Sequence, residues 1–90
     1  MTPEIDANTG ELEGLLMGYA DYMRLGRFES AVQMANRMTQ MDCSVCKSFG
    51  NHLMGLAVGV AECPTNSIAP QLTECAIDSA EHIRTELISE

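Results

Sequence analysis

Basic residues are scarce in this 90-residue chain: five Lys and Arg stand against thirteen Asp and Glu, for a net charge of −8. Nucleic-acid binding relies on Lys and Arg to displace phosphate counterions, and anionic membrane surfaces attract the same residues, so neither is an expected partner. There is no tryptophan and aromatics make up only 4% of the chain. Long apolar runs are absent. The strongest, Leu53 to Ala61, is far shorter than the ~20 residues needed to span a bilayer. The start, Met1-Thr2-Pro3-Glu4, lacks the basic and then apolar character of a secretory leader. A cytoplasmic protein with reduced thiols is therefore expected. No segment alternates with period two, and Asn-Gly or Asp-Gly hairpin turns are missing, which excludes an ordinary antiparallel sheet. A glycine-rich phosphate loop, a nucleophile elbow and a paired histidine–carboxylate motif are missing as well.

What is present is helical periodicity. Apolar residues are 46% of the chain, enough for one packed core. Residues 1–10 hold Pro3, Asn8, Thr9 and Gly10 with little apolar material, and are expected to form a flexible arm before a single helical domain, 11–90. Asn8 and Glu11 resemble a capping box. A first helix is predicted over 11–25, with Leu12, Leu15, Leu16, Tyr19, Tyr22 and Met23 on one stripe. Gly26 is its natural stop. A second is predicted over 28–41 with Phe28, Ala31, Val32, Ala35 and Met38 on one face. A third spans 45–62, its stripe being Val45, Phe49, Leu53, Leu56 and Val60, with Asp42 and Ser44 as candidate caps and Pro64 to Ser67 as its end. A fourth spans 68–88 through Leu72, Ala76, Ala80, Ile83 and Leu87, with Pro70 in its first turn, where a missing N–H costs little. The fold class is all-α: a four-helix bundle made of two antiparallel helical hairpins.

The halves echo one another. Leu16-Met17-Gly18-Tyr19-Ala20 recurs as Leu53-Met54-Gly55-Leu56-Ala57. In the first half, Leu15, Tyr22, Gly26, Phe28, Ala31 and Asp42 fall where a tetratricopeptide repeat places its large residue, aromatic, glycine, aromatic, alanine and terminal aspartate. Residues 12–42 thus resemble a tetratricopeptide helix pair. The pattern departs at Tyr19, Asp21, Met38 and Cys43. Repeat arrays usually need three or more units, so two units suggest either a closed four-helix bundle or an interface that a second subunit completes.

Four cysteines are the first candidate chemistry. Cys43-Ser44-Val45-Cys46 puts a CxxC at a predicted helix start, where free N–H groups and the helix dipole stabilise a thiolate. With the downstream His52, this region resembles the carboxymuconolactone decarboxylase and alkylhydroperoxidase family. That resemblance implies peroxide reduction or electron relay by Cys43 and Cys46, assisted by His52. The histidine stands six residues after Cys46, where the family has four. A metal site is the other option. All four cysteines on one zinc would require helix three to break, since an unbroken helix separates Cys46 from Cys63 by ~25 Å at 1.5 Å per residue. An antiparallel hairpin instead brings His82 or Glu86 toward Cys43 and Cys46 as a smaller zinc site. Core packing is the simplest role for Cys46 and Cys75, and both histidines are expected at the edge of the core.

Seven methionines are many for this length. Met34 and Met41 fall off the main stripe of helix two, and with Met38 they are expected to form an exposed apolar strip suited to a partner. Gly14-x3-Gly18 and Gly55-x3-Gly59 suggest close helix approach, within the chain or across a dimer. Glu74, Asp78 and Glu81 form an acidic ridge. The expected function is a non-catalytic interaction or oligomerisation module without a cofactor, pairing with itself as a homodimer or with another protein. Its interface residues would be Met34, Met38, Met41, Gly14 and Gly18. Thiol-redox and zinc-binding proteins are the competing readings.

Overall fold

Four helices follow one another with short connections: α1 (Pro3–Arg24), α2 (Phe28–Thr39), α3 (Ser44–Glu62) and α4 (Ala69–Ser89). This computed structural model describes residues 3–63 and 65–89, with side chains from Gly10 to Glu86. Each helix packs on its neighbours in sequence, and α4 returns against α1, so the two hairpins close into one bundle within a single chain. The radius of gyration, 12.6 Å, matches the ~12 Å of a compact domain of this length.

Local chemistry explains the helix ends. α1 stops in a Schellman motif. Gly26 has φ 77°, the Gly26 N–H donates to Met23 O at 3.2 Å, and the Arg27 N–H donates to Tyr22 O at 2.8 Å. Those bonds satisfy carbonyls that the helix end would otherwise orphan. α3 is capped by Cys43, not by Asp42 or Ser44. Its extended backbone lets the Cys43 Sγ accept from the Cys46 N–H at 3.3 Å. Between α3 and α4, Asn66 Oδ1 accepts from the Ile68 N–H at 3.0 Å.

The beginning of α1 corrects the expected arm. Residues 3–10 are helical, so Asn8 and Glu11 lie inside a helix and form no cap at its start. Proline suits a first helical position because its missing N–H is unpaired there anyway. Once the packed part of α1 exists, each further residue adds a hydrogen bond without a new nucleus. Residues 1 and 2 lie outside the described residues.

The core is filled by Leu12, Leu16, Tyr19, Met23, Met38, Cys43, Cys46, Leu53 and Val60, with alanines where helices meet. The echoed segments occupy like places: Leu16 and Leu53 are buried, as are Ala20 and Ala57. Across the centre, the Tyr19 hydroxyl donates to Leu53 O at 2.7 Å and ties α1 to α3. Burial first, and the nearby Cys75 second, push the Tyr19 hydroxyl well above its ordinary pKa.

The tightest seam is α2 on α3. Gly50 makes it. A Cβ there would lie 2.7 Å from Thr39 N, 2.8 Å from Ala35 O and 2.8 Å from Met38 Cβ, so only hydrogen fits between the two backbones. Ion pairs stitch α1 to α4. Arg24 bonds Glu81 as well as Asp21, and Arg84 Nε lies 3.8 Å from Glu13. The Arg24 pairs are exposed and contribute little each, while Arg84 Nε is itself covered and makes no hydrogen bond among the described residues.

Candidate functional site

Cys43 and Cys46 sit together at the start of α3, each 1% exposed. Their side chains point into the core, where Cys43 acts as cap and Cys46 as packing. Neither histidine joins them. His52 follows Cys46 by six residues, which turns it by ~600° around the helix, and it lies on the exposed surface. His82 is exposed on α4 and pairs with Glu86 at 3.4 Å. The trio Cys43, Cys46 and His52 is therefore not assembled as a site, nor is Cys43, Cys46 and His82. α3 runs unbroken from Ser44 to Glu62 through its glycines, which keeps Cys46 and Cys63 at opposite ends. Among the described residues no three His, Cys, Asp or Glu side chains converge as a metal site. Cys63 caps the far end of α3 and is exposed, as is Cys75; the core place expected for Cys75 goes to Ala76 and Ala80.

The expected interface is corrected too. Met38 is fully buried and Met41 nearly so. Helix two stops at Thr39, so Met41 belongs to the link and folds inward instead of continuing the helical wheel. Met34 is half-buried, its Sδ 3.3 Å from where a Gly18 Cβ would stand. Gly18 thus seats a methionine of its own chain. Gly14 meets nothing within 4 Å. No exposed methionine strip results. The acidic ridge is partly engaged within the chain, since Glu81 bonds Arg24, while Glu74 and Asp78 stay exposed.

What the bundle does assemble is a cleft of about 340 Å³ between the first half of α3 and the second half of α4, lined by Ser48, Phe49, His52, Ser79, His82 and Ile83. Antiparallel packing puts these residues level with one another. Phe49 and Ile83 form an apolar floor and pack on the core from outside it. The two histidines and two serines stand around it, able to donate and accept hydrogen bonds. Both histidines of the chain thus share one cleft. From the sequence, each histidine is set against the cysteines or at the edge of the core, and never against the other histidine. The signal was available: in an antiparallel pair of helices joined by a short turn, positions 49 and 52 of α3 fall level with 83 and 79 of α4.

The outer side of α3 adjoins this cleft. Ser48, Asn51 and Gly55 are exposed, and Gly55 and Gly59 have open space where a Cβ would stand. Among the described residues no helix is long and apolar enough to cross a membrane. No family model, no curated protein and no solved structure matches this chain.

Proposed function

We propose that this chain is a non-catalytic helical module that binds another protein chain, a second copy of itself or a different protein, through the cleft between α3 and α4 and the surface beside it. The observation that carries the reading is the cleft itself: an apolar floor of Phe49 and Ile83 with histidine and serine around it. Such a half-buried aromatic floor with a polar rim suits an inserted apolar side chain, the usual anchor of a protein interface. The redox reading rests on a helix-capping Cys43 beside Cys46, and the burial of both thiols denies a peroxide or a partner disulfide access to them. The zinc reading lacks a third converging ligand among the described residues.

Two experiments test the proposal. A photo-crosslinking phenylalanine derivative placed at His52 should join the chain to a partner protein in living cells, while the same group at exposed Gln33 on α2 should not. No product from position 52 overturns the reading. Native mass spectrometry of the untagged chain should give metal-free species unchanged by reductant. A chain two mass units lighter before reduction, or one that retains zinc, would instead promote the thiol or metal reading.

A further inference from the structure

We infer that the outer face of α3 is a self-complementary surface on which a second copy of the chain docks, antiparallel, about a two-fold axis near the Met54–Gly55 bond. This rests on the interaction reading and names its partner. The first ground is charge. Two copies at −8 each repel wherever their acids face one another. α1, α2 and α4 all carry exposed acids, among them Glu11, Glu29 and Glu74. Between Lys47 and Glu62, by contrast, α3 has fourteen consecutive residues without a formal charge. α3 thus presents the longest uncharged stretch among the described helices, and two such chains can approach along it without like charges meeting.

The second ground is complementarity. An isologous interface must match itself under a two-fold rotation. Lys47 and Glu62 are both exposed and have opposite signs. They stand seven and a half residues on either side of the Met54–Gly55 bond. An antiparallel pair centred there sets Lys47 of each copy beside the partner's Glu62, twice over. The outer stripe between them runs Ser48, Asn51, Gly55 and Gly59, at helical spacing. Lys47 itself lies about 60° round the helix from Glu62, within reach of its flexible four-carbon stem. The third ground is shape. Glycine in a helix interior is unfavourable relative to alanine, and none of the described residues approaches the Cβ positions of Gly55 or Gly59. A second helix backbone would use that space as α2 uses the space at Gly50. A single helix pair is a small interface, so the association should be weak, in the micromolar class.

Charge exchange tests this. Sedimentation equilibrium of the untagged full chain, from low micromolar to near-millimolar, should give a monomer–dimer equilibrium. Lys47→Glu should weaken it by about tenfold, because symmetry makes one substitution set two like-charge pairs. Glu62→Lys should weaken it similarly, and the double variant should restore it. Each change puts a favourable sign at its end of the helix dipole, so folding is not compromised. Gly55→Leu fills open space and should abolish the dimer while the monomer stays folded by circular dichroism. A wild type that is monomeric throughout, a dimer indifferent to these variants, or a double variant that fails to recover overturns the inference. A monomer that still crosslinks from position 52 to a different protein sinks self-pairing and leaves the interaction reading standing.

Discussion

Gly50→Ala is the sharpest probe of the packing described here. The added methyl would stand 2.7 Å from Thr39 N and 2.8 Å from Ala35 O. Both are backbone atoms of α2, so no side-chain rotation relieves the clash. Reaching a tolerable 3.4 Å requires α2 to retreat by 0.7 Å, the difference between 3.4 and 2.7 Å. A radial gap of about that size forfeits roughly a quarter to a half of each dispersion contact along the seam. Overpacking of this kind costs about 1–3 kcal/mol. Alanine's better helix propensity returns about 1 kcal/mol. Since backbone must move on the tightest seam of the bundle, the upper part of the range applies, for a net loss of about 2 kcal/mol. Gly55→Ala supplies the control. It brings the same propensity gain with nothing within 4 Å of the new methyl, so it should stabilise the monomer by about 1 kcal/mol. Urea unfolding followed at 222 nm reads both, and the midpoints should move in opposite directions at unchanged slope. If Gly50→Ala were as stable as Gly55→Ala, the close approach of α2 to α3 would be wrong.

Tyr19→Phe removes the 2.7 Å bond to Leu53 O and should cost about 1 kcal/mol at neutral pH, as the carbonyl keeps its place in the α3 ladder. Because burial raises the folded Tyr19 pKa above its ordinary 10.0, stability is full below pH 10 and falls as pH rises further, when the unfolded chain loses a proton the folded one retains. Urea midpoints at rising alkaline pH should show the Tyr19 chain losing its advantage over the Phe variant; parallel pH profiles would contradict the buried phenol. In a thiol titration with an aromatic disulfide, exposed Cys63 and Cys75 should react at once, and buried Cys43 and Cys46 only on denaturation. Rapid reaction of either buried thiol in the native protein would mean that the start of α3 opens, and would return Cys43 and Cys46 to candidacy as a redox pair.

The fold was largely legible because its punctuation is strong. Gly26 demanded a left-handed residue between α1 and α2, and it has one. α3 ends at Glu62, as the sequence predicts; of the run that marks its stop, Pro64 lies outside the described residues. Legibility failed where local signals were weak or where a rule was carried past its range. Asn8, Thr9 and Gly10 read as a loop, but a packed helix extends through such residues. Met41 looked exposed only because a helical wheel was continued beyond Thr39, the last residue of α2. His82 lies beside the stripe of α4, yet small alanines hold the helix close to its neighbours, and the imidazole stays outside.

The glycines of α3 differ in the direction they face. Gly14, Gly18, Gly55 and Gly59 drew notice as spaced pairs, but spacing between glycines says nothing about which way they face. Phase against the apolar stripe does. Gly50 falls in register with Cys46, Leu53, Ala57 and Val60, all buried, at intervals of four and three residues. A glycine in that phase removes a side chain from the core, and it is tolerated only where another backbone fills the space. Gly55 and Gly59 run opposite that stripe, and there none of the described residues fills the space. One helix therefore carries two kinds of glycine. The inner one explains the tightest seam of the bundle. The outer two cost helix stability with no return inside the chain, and on a face without formal charge they leave room that a second helix backbone can occupy.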